Sequence, residues 1–394
     1  MSDISGRLAE LREAGLDRSL REVGGPQGPR VMLDGREVLL LCSNNYLGLA
    51  NDRAVREAAA RAALRWGAGA GASRLISGSM TLHRGLEERL ATFKGTEAAL
   101  LFGSGYLANT GTVSALTRDG EVVFSDELNH ASIIDGCRLS RAETFVYRHA
   151  DLDHLAWGLE RAKGRGALIV TDGVFSMDGD VAPLTGLAEL ARRHRCRLMV
   201  DEAHGTGALG PSGRGAVAAA GLGDEVDVIV GTLGKALGGY GAYVCADTEI
   251  RELLINVARP FIFSTALPPP VVAAAYAAIG LLETLPDRVK QLRRNVAVFR
   301  GALAESGLEV EPDGTQIIPL VVGEAAEATE LCEAGLRRGV FAQAIRPPTV
   351  PEGTSRLRMT VMATHREREL RRAAAAIADS LREVRGEMAL PRAA

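Results

Sequence analysis

The chain has 394 residues, of which 46% are hydrophobic, and a formal net charge of −3 at pH 7. This length exceeds one ordinary hydrophobic core, so two packed units are expected. The weak acidic balance gives no reason to expect a nucleic acid or an anionic membrane surface as a partner.

The five cysteines are scattered, and none of them forms a C-x-x-C pair. An odd, unclustered set indicates reduced thiols in a cytoplasmic protein and argues against a zinc ribbon or a disulfide framework. Residues 1–12 are charged and lack the apolar core of a secretory signal. The sequence contains no charge-free stretch of about 18 apolar residues, so no transmembrane helix is expected.

In chain order, the first segment predicts a helical arm followed by a hairpin with Asp34-Gly35 as its turn. The centre then alternates apolar runs with helical segments such as 106–116, 152–163 and 184–194. The apolar runs that we interpret as strands are 98–102, 122–124, 145–147, 167–171, 197–201, 226–231 and 242–246.

Most of these runs are continuous rather than alternating, which is typical of strands that are covered on both faces of a parallel sheet. Their alternation with helices predicts an α/β fold with right-handed crossovers. A Gly-rich loop without room for a helix separates the last two strands, so one of them is expected to be antiparallel.

The pattern changes where three prolines at 268–270 begin an Ala-rich helical stretch that Pro286 interrupts. The elements predicted beyond it are strands at 317–322 and 356–361 and helices near 325–338 and 366–384. They indicate a smaller α+β domain. We therefore predict an N-terminal arm at 1–44, a large domain at 45–285 and a small C-terminal domain at 286–394, with a disordered tail at 388–394.

Lys235 is one of only four lysines, and it lies in a Gly-rich segment shortly after the strand at 226–231. A cation among glycines at the end of a buried strand is poorly solvated, which favours a neutral and nucleophilic amine. An amine of that kind forms Schiff bases. Other parts of the sequence supply what a pyridoxal phosphate (PLP) site would need.

Asp201 ends the strand at 197–201 and is followed by Glu-Ala-His204. A carboxylate at the carboxyl end of a parallel strand faces the crevice in which open sheets bind ligands. It could pair with the protonated pyridine nitrogen of PLP and preserve the electron-sink character of the ring. The alternative is an aspartate that caps the next helix.

Two further polar segments follow predicted strands. The segment 103–109 opens a helix, and its glycines would let backbone N–H groups approach a phosphate, although a tight turn without a ligand explains them equally well. His130, preceded by Asn129, lies at the start of the next helical pattern. It could serve catalysis or be an ordinary surface or core residue.

Two loops carry charged residues for which the sequence allows either a functional or a purely structural role. Asp178 and Asp180 could bind a cation, yet turn chemistry alone accounts for the intervening Asp-Gly pair. Arg346 lies in the run 344–351, where three prolines fix φ. A rigid loop of this kind suits bidentate capture of a carboxylate, and the alternative is a plain connection.

Taken together, these residues resemble the α-oxoamine synthases, a PLP family of the aspartate-aminotransferase fold. The resemblance extends from about residue 15 to about residue 381. The motifs that carry it are specific in order and spacing: SNNYLGL (43–49), GASRLISG (71–78), NHAS (129–132), GVFSMDGD (173–180), DEAHGTG (201–207) and TLGK (232–235).

The resemblance implies cofactor roles for the matching residues. Lys235 would be the lysine that forms the Schiff base with PLP, and Asp201 would bind the pyridine nitrogen. His204 would contact the phenolic oxygen, His130 would stack on the ring, and Ser176 would lie close to it. The phosphate would be held by Gly105, Tyr106 and Thr232.

The resemblance also implies substrate contacts and an assembly. Arg346 would bind the amino-acid carboxylate, and three further residues would contact the substrate, namely Arg18, Asn44 and Thr349. Members of the family are homodimers with the active site at the interface, so 71–78 and 264–265 are expected to serve the partner's site. No metal site is expected, because one at Asp201 and His204 would need further ligands that the sequence does not mark.

Within the family, the run 345–351 looks like the biotin-pathway member, which condenses L-alanine with a pimeloyl thioester of CoA or a carrier protein. A sibling reaction of glycine with acetyl-CoA is the first alternative. An aminotransferase or aldolase on the same fold is more distant. A binding protein without PLP is a non-enzymatic alternative that would make Lys235 structural.

Overall fold

The computed structural model describes residues 4–13, 15–284 and 286–386, so the predicted tail at 388–394 lies outside the described residues. The chain divides into two compact units. The large unit contains Leu49–Ser176 and Asp180–Lys290. The small unit contains the residues up to Gly48, Met177–Gly179 and the residues from Gln291 onward. The predicted N-terminal arm therefore groups with the C-terminal segment.

In the part of the chain that the structure describes, the helices are α1 (Ile4–Glu13), α2 (Arg53–Trp66), α3 (Thr81–Lys94), α4 (Gly105–Leu116), α5 (Ala131–Leu139), α6 (Leu152–Arg161), α7 (Leu184–His194), α8 (Ala216–Ala220), α9 (Thr248–Val257), α10 (Arg259–Ile262), α11 (Pro269–Thr284), α12 (Asp287–Glu305), α13 (Ala325–Arg337) and α14 (Glu367–Val384).

The strands are β1 (Val23–Gly24), β2 (Arg30–Leu33), β3 (Arg36–Leu40), β4 (Ala98–Phe102), β5 (Val122–Asp126), β6 (Glu143–Tyr147), β7 (Gly166–Asp172), β8 (Arg197–Asp201), β9 (Val228–Thr232), β10 (Ala242–Ala246), β11 (Ile317–Gly323), β12 (Val340–Phe341), β13 (Gln343–Ile345) and β14 (Ser355–Thr360).

The large unit is built on a seven-stranded sheet with the order β4-β10-β9-β8-β7-β5-β6. The pairs from β6 to β9 are parallel, and β10 runs antiparallel to both β4 and β9. The α/β prediction with one reversed strand at the Gly-rich loop is thus confirmed. The connection from β9 to β10 is too short for a crossover helix, which is why this strand is reversed.

One face of this sheet packs on helices α4, α5, α9 and α10. Alternate residues of the strands face this cluster, for example Leu168 and Val170 of β7, and they meet Val113 of α4 and Ile133 of α5. Each fully buried side chain of this size contributes about 1.5–3 kcal/mol by leaving water. The apolar strands therefore fix the sheet, and the sheet fixes the loops at its edge.

The carboxyl ends of the parallel strands carry polar residues. Strands β5, β7 and β8 end in Asp126, Asp172 and Asp201, and β9 ends in Thr232. All three aspartates are buried. Because parallel strands end on the same edge of a sheet, these side chains gather at one place, where ligands bind in open α/β sheets.

The small unit contains a sheet with the order β1-β2-β3-β12 and a second sheet with the order β11-β14-β13. The predicted hairpin turn between β2 and β3 is present, with positive φ at both Asp34 and Gly35, as a type I′ turn requires. Strand β12 pairs parallel with β3. This pairing places the arm and the C-terminal segment in one unit.

Two global features complete the description. No single helix in the described ranges is long and apolar enough to cross a membrane, although the bent pair α11 and α12 together meets that test by length and composition. The thiols of the five cysteines are all free.

Candidate active site

The Asp201 carboxylate is held from two sides at the end of β8. Its Oδ1 accepts a hydrogen bond from the backbone N–H of Ala203 at 2.8 Å, and its Oδ2 accepts one from Asn109 Nδ2 at 2.6 Å. The residues that follow form turns rather than a helix. Asp201 is therefore not a helix cap, and the ligand-facing interpretation remains.

Lys235 lies in the turn between β9 and β10, and its Nζ is 2.7 Å from Nε2 of the buried His204. A contact between these nitrogens needs one lone pair, so the two groups cannot both be fully protonated. The turn depends on Gly238, which donates its N–H to the Lys235 carbonyl and has a φ of 66°. A Cβ at Gly238 would lie 2.2 Å from the backbone nitrogen of Ala50.

His130 is the residue before α5, and both its backbone and its ring are bound. Its N–H donates to Asp172 Oδ2 at 2.8 Å, and its ring Nδ1 lies 2.7 Å from Ser132 Oγ. Burial lowers the pKa of His130; the Asp201 carboxylate opposes this effect and the nearby Lys235 adds to it. Burial raises the pKa of Asp172 well above its usual range, and the Asp201 charge contributes to the same shift.

The first turn of α4 is the predicted phosphate site. Ser104 caps the helix by accepting the N–H of Leu107 at 3.2 Å. The leading N–H groups of a helix have no partner within the helix and attract anions. A Cβ built on Gly105 meets no atom within 4 Å, so the space beside this turn is open. Thr232 Oγ1 donates to the Gly241 carbonyl at 3.1 Å.

The loop that carries Ser176 is closed by a hydrogen bond from Phe175 N–H to the Asp180 carbonyl. His149 lies 3.0 Å from Asp126 Oδ1 through Nδ1 and 2.9 Å from Asp180 Oδ2 through Nε2. These two hydrogen bonds, first that to Asp126 and then that to Asp180, raise the pKa of His149 to about 10. The histidine thus joins the loop of Ser176 to the end of β5.

Both acidic side chains of the Asp178–Asp180 turn already contact basic side chains of the protein. Asp180 faces His149, and Asp178 accepts a hydrogen bond from Arg356. Across the described ranges, no group of three or more His, Cys, Asp or Glu side chains is placed to hold a metal ion. The turn interpretation of this segment is the one that the contacts favour.

The predicted substrate residues belong to the small unit. Arg18, Arg346 and Thr349 line one cavity of about 560 Å³. The Arg346 guanidinium donates to the carbonyl of Gly15 and, at 3.1 Å, to that of Asp17. Asn44 lies elsewhere in this unit, and its Oδ1 accepts from the Tyr46 hydroxyl at 3.1 Å. The structure thus brings together three of the four residues.

Sequence analysis did not assign a role to several residues that the structure places at this edge, namely Asn109, Ser132, Asp172 and His149. Two signals could have found some of them. Asp172 ends a strand exactly as its neighbour Asp201 does, so the same strand-end argument applies to it. Asn109 is an amide in the buried middle of α4, where its neighbours are alanine, glycine, threonine and valine.

Comparisons with known proteins agree on one family. Residues 36–377 match the family model for class I and II aminotransferases. The chain is 57% identical over 378 residues to the 8-amino-7-oxononanoate synthase of Geobacter sulfurreducens, with 95% of this chain and 97% of that protein covered. It is 54% identical over 362 residues to the 8-amino-7-oxononanoate synthase of Anaeromyxobacter dehalogenans, with 92% and 91% covered.

Solved structures give the same picture. A serine palmitoyltransferase variant from S. paucimobilis with a bound PLP–myriocin aldimine superposes with a TM-score of 0.93 and 33% identity, over 98% of this chain and 99% of that chain. The 8-amino-7-oxononanoate synthase from Francisella tularensis superposes with a TM-score of 0.76 and 30% identity, over 89% and 98%.

Proposed function

We propose that this chain, which belongs to the class I and II aminotransferase family and within it to the α-oxoamine synthases, is a PLP-dependent acyltransferase of biotin biosynthesis. It condenses L-alanine with a pimeloyl thioester and releases carbon dioxide and the free thiol carrier. The product is 8-amino-7-oxononanoate. The observation that carries the proposal is the 57% identity over 95% of the chain to a protein of that name.

The residues at the sheet edge fit PLP by their chemistry. A buried carboxylate, Asp201, suits a protonated pyridine nitrogen, and the open space at Gly105 on the first turn of α4 suits a phosphate. When bound, PLP supplies an electron sink that stabilises negative charge at the Cα of the amino acid. The residues that would hold it are Lys235, Asp201, His204, His130, Ser176, Gly105, Tyr106 and Thr232.

The surroundings of Lys235 and Asp201 support the roles that we propose for them. Lys235 would hold the cofactor through Nζ and would move the α-proton of alanine at the same atom, and His204 is the neighbour that could share a proton with it. Asp201 would pair with the pyridine nitrogen, and two N–H groups fix the orientation of its carboxylate.

The small unit supplies the substrate contacts. Arg346 aligns the amino-acid carboxylate through its planar fork of donors. Arg18 and Thr349, which line the same cavity, would contact the substrate, and so would Asn44. We also propose a homodimer with shared active sites, a CoA or acyl-carrier-protein thioester as the acyl donor, and a cytoplasmic location.

Competition in a single tube tests the proposal. Pimeloyl, unsubstituted heptanoyl and acetyl thioesters are mixed with alanine, serine and glycine, and the products are resolved by mass. We expect pimeloyl thioester and alanine to win. Glycine and serine should still react detectably, because one methyl group adds only about 1–3 kcal/mol of discrimination. If glycine and acetyl-CoA win, the chain is the sibling enzyme that makes 2-amino-3-oxobutyrate.

A further inference from the structure

Asn109 is a hydrogen-bond donor to two functional residues at once. It lies in the second turn of α4 and is 1% exposed. Its Nδ2 is 2.6 Å from Asp201 Oδ2 and 2.9 Å from Ser132 Oγ. A reversed amide would turn Oδ1 toward the carboxylate, where two acceptors would face each other. The carboxylate therefore fixes the amide, and both of its N–H groups are donated.

The backbone N–H of Ser132, which can only donate, decides the direction of the next hydrogen bond. Because Ser132 Oγ accepts from Asn109, its own proton is free for another acceptor, and His130 Nδ1 lies 2.7 Å away. The backbone N–H of Ser132 also donates to Nδ1, at 3.3 Å. A ring nitrogen that accepts two donors carries no proton. The proton of a neutral His130 ring must then be on Nε2.

We infer that Asn109 is a positioning residue that fixes the Asp201 carboxylate and, through Ser132, holds His130 in the neutral form with its proton on Nε2. The cofactor roles of Asp201 and His130 rest on the proposed function, but the hydrogen-bond chain does not. The titratable groups around the ring are Asp172, Asp201 and Lys235, and the lowering of the His130 pKa by burial agrees with a neutral ring.

These hydrogen bonds connect Asp201 with His130, two residues that no sequence pattern connects. The Asp201 carboxylate orients the Asn109 amide, and the amide donates to the Ser132 hydroxyl. The hydroxyl and the backbone N–H of Ser132 then both donate to Nδ1 of His130, which leaves the ring proton on Nε2. A His130 ring with Nε2–H presents a donor on the edge away from Ser132. The same residue would present an acceptor there if its proton moved to Nδ1.

Three variants separate these steps. Asn109→Leu keeps a similar volume and removes both donors, and Ser132→Ala removes only the hydroxyl. Thr112→Val is the matched control, because Thr112 lies in the same helix, is fully buried, and has a hydroxyl without a hydrogen-bond partner in the described structure. Circular dichroism checks that each variant folds. If Asn109→Leu does not fold, Ser132→Ala decides the outcome.

The first measurement is the ¹⁵N spectrum of the histidine rings in the apoprotein, with His130 assigned from a His130→Gln variant. We expect the Nε2–H form in the native protein and in Thr112→Val, and a mixture of tautomers in Ser132→Ala and Asn109→Leu. A native His130 protonated on Nδ1 overturns the inference, and so does a tautomer that no variant changes.

The second measurement is the dissociation constant of PLP, titrated into the apoprotein. Losing a hydrogen bond to a charged group should weaken binding by about tenfold or more in Asn109→Leu, with little change in Thr112→Val. Equal affinities in these two variants contradict the positioning of Asp201. A native protein that shows the expected tautomer but makes no 8-amino-7-oxononanoate would refute the proposed function and leave this inference standing.

Discussion

The sheet edge of the large unit and the cavity of the small unit that Arg18, Arg346 and Thr349 line hold their side chains in different ways. At the edge, the buried Asp201 is fixed by a buried side chain, Asn109, and by a backbone N–H. In the cavity, Arg346 is held by two backbone carbonyls of the N-terminal arm, beside the exposed Arg18.

The difference matches the two tasks that we propose for these regions. Groups that stay with one cofactor gain from a fixed orientation, whereas a group that binds a new substrate in every turnover needs contacts that the substrate can replace. Changes at the edge should therefore affect cofactor binding and kcat. Changes in the cavity should affect KM for the amino acid.

The largest effect is expected for Lys235→Ala. We expect kcat to fall by about four orders of magnitude, at the upper end for a lost acid–base group, while the fold survives. Product formation by mass and retention of PLP on dialysis are the measurements. Lys290→Ala, at an exposed lysine, is the control and should be fully active. Normal turnover by Lys235→Ala would remove this residue from the chemistry.

Asp201→Asn should come next. The neutral amide cannot keep a proton on the pyridine nitrogen, so we expect a fall in kcat on the order of 10²–10³, the scale of one lost electrostatic contact. PLP should still bind through its phosphate. The measurement is the absorption change on adding alanine. An undiminished change would show that Asp201 is not the partner of the pyridine nitrogen.

Arg346→Lys tests the cavity side of the comparison. A lysine cannot reproduce the bidentate fork, so a loss of about 1.5–3 kcal/mol is expected in alanine binding. We expect the KM for alanine to rise by the factor that corresponds to this free energy, and the KM for the acyl thioester to change little. An unchanged KM for alanine places the carboxylate site elsewhere, and a loss confined to kcat would erase the distinction between the two regions.

The last prediction concerns stability rather than activity, and one histidine in each unit tests it. Hydrogen bonds to Asp126 and Asp180 raise the pKa of His149 to about 10, whereas burial lowers that of His365 to about 4. The stabilisation from His149 is complete below the unfolded pKa of about 6.5 and is lost as the pH rises toward 10. That from His365 is complete above about 6.5 and is lost as the pH falls toward 4.

Urea unfolding between pH 5 and pH 9.5 separates the two histidines. His149→Gln should lower the free energy of unfolding by about 1.5–3 kcal/mol at pH 6, and by less at pH 9.5. His365→Gln should show the opposite trend, with its larger effect at the higher pH. A His149→Gln difference that stays constant over this range would argue against a charged ring between the two carboxylates.

Much of the large unit could be predicted because its strands are continuous apolar runs. Strands β4, β8 and β10 have the predicted bounds. The prediction ended β5 too early, at residue 124, because Ser125 and Asp126 are polar, although both are buried in the strand. Polar residues at the end of an apolar run can therefore still belong to the strand, and here they lie at the candidate active site.

Contacts between distant parts of the chain could not be predicted. Asn109 and Asp201 are far apart in sequence, and only the folded sheet brings α4 beside the end of β8. His149 meets carboxylates 23 and 31 residues away. The arm joins the small unit through the pairing of β3 with β12, which no local pattern indicates.

The two backbone carbonyls that accept hydrogen bonds from Arg346 affect the apparent affinity for the amino acid. A carboxylate that binds this guanidinium, as proposed, must exchange with the carbonyls of Gly15 and Asp17. The observed affinity is then the intrinsic affinity reduced by the free energy needed to release the arm. Substitutions in the arm that never touch the substrate can therefore tune the concentration of alanine at which the enzyme works.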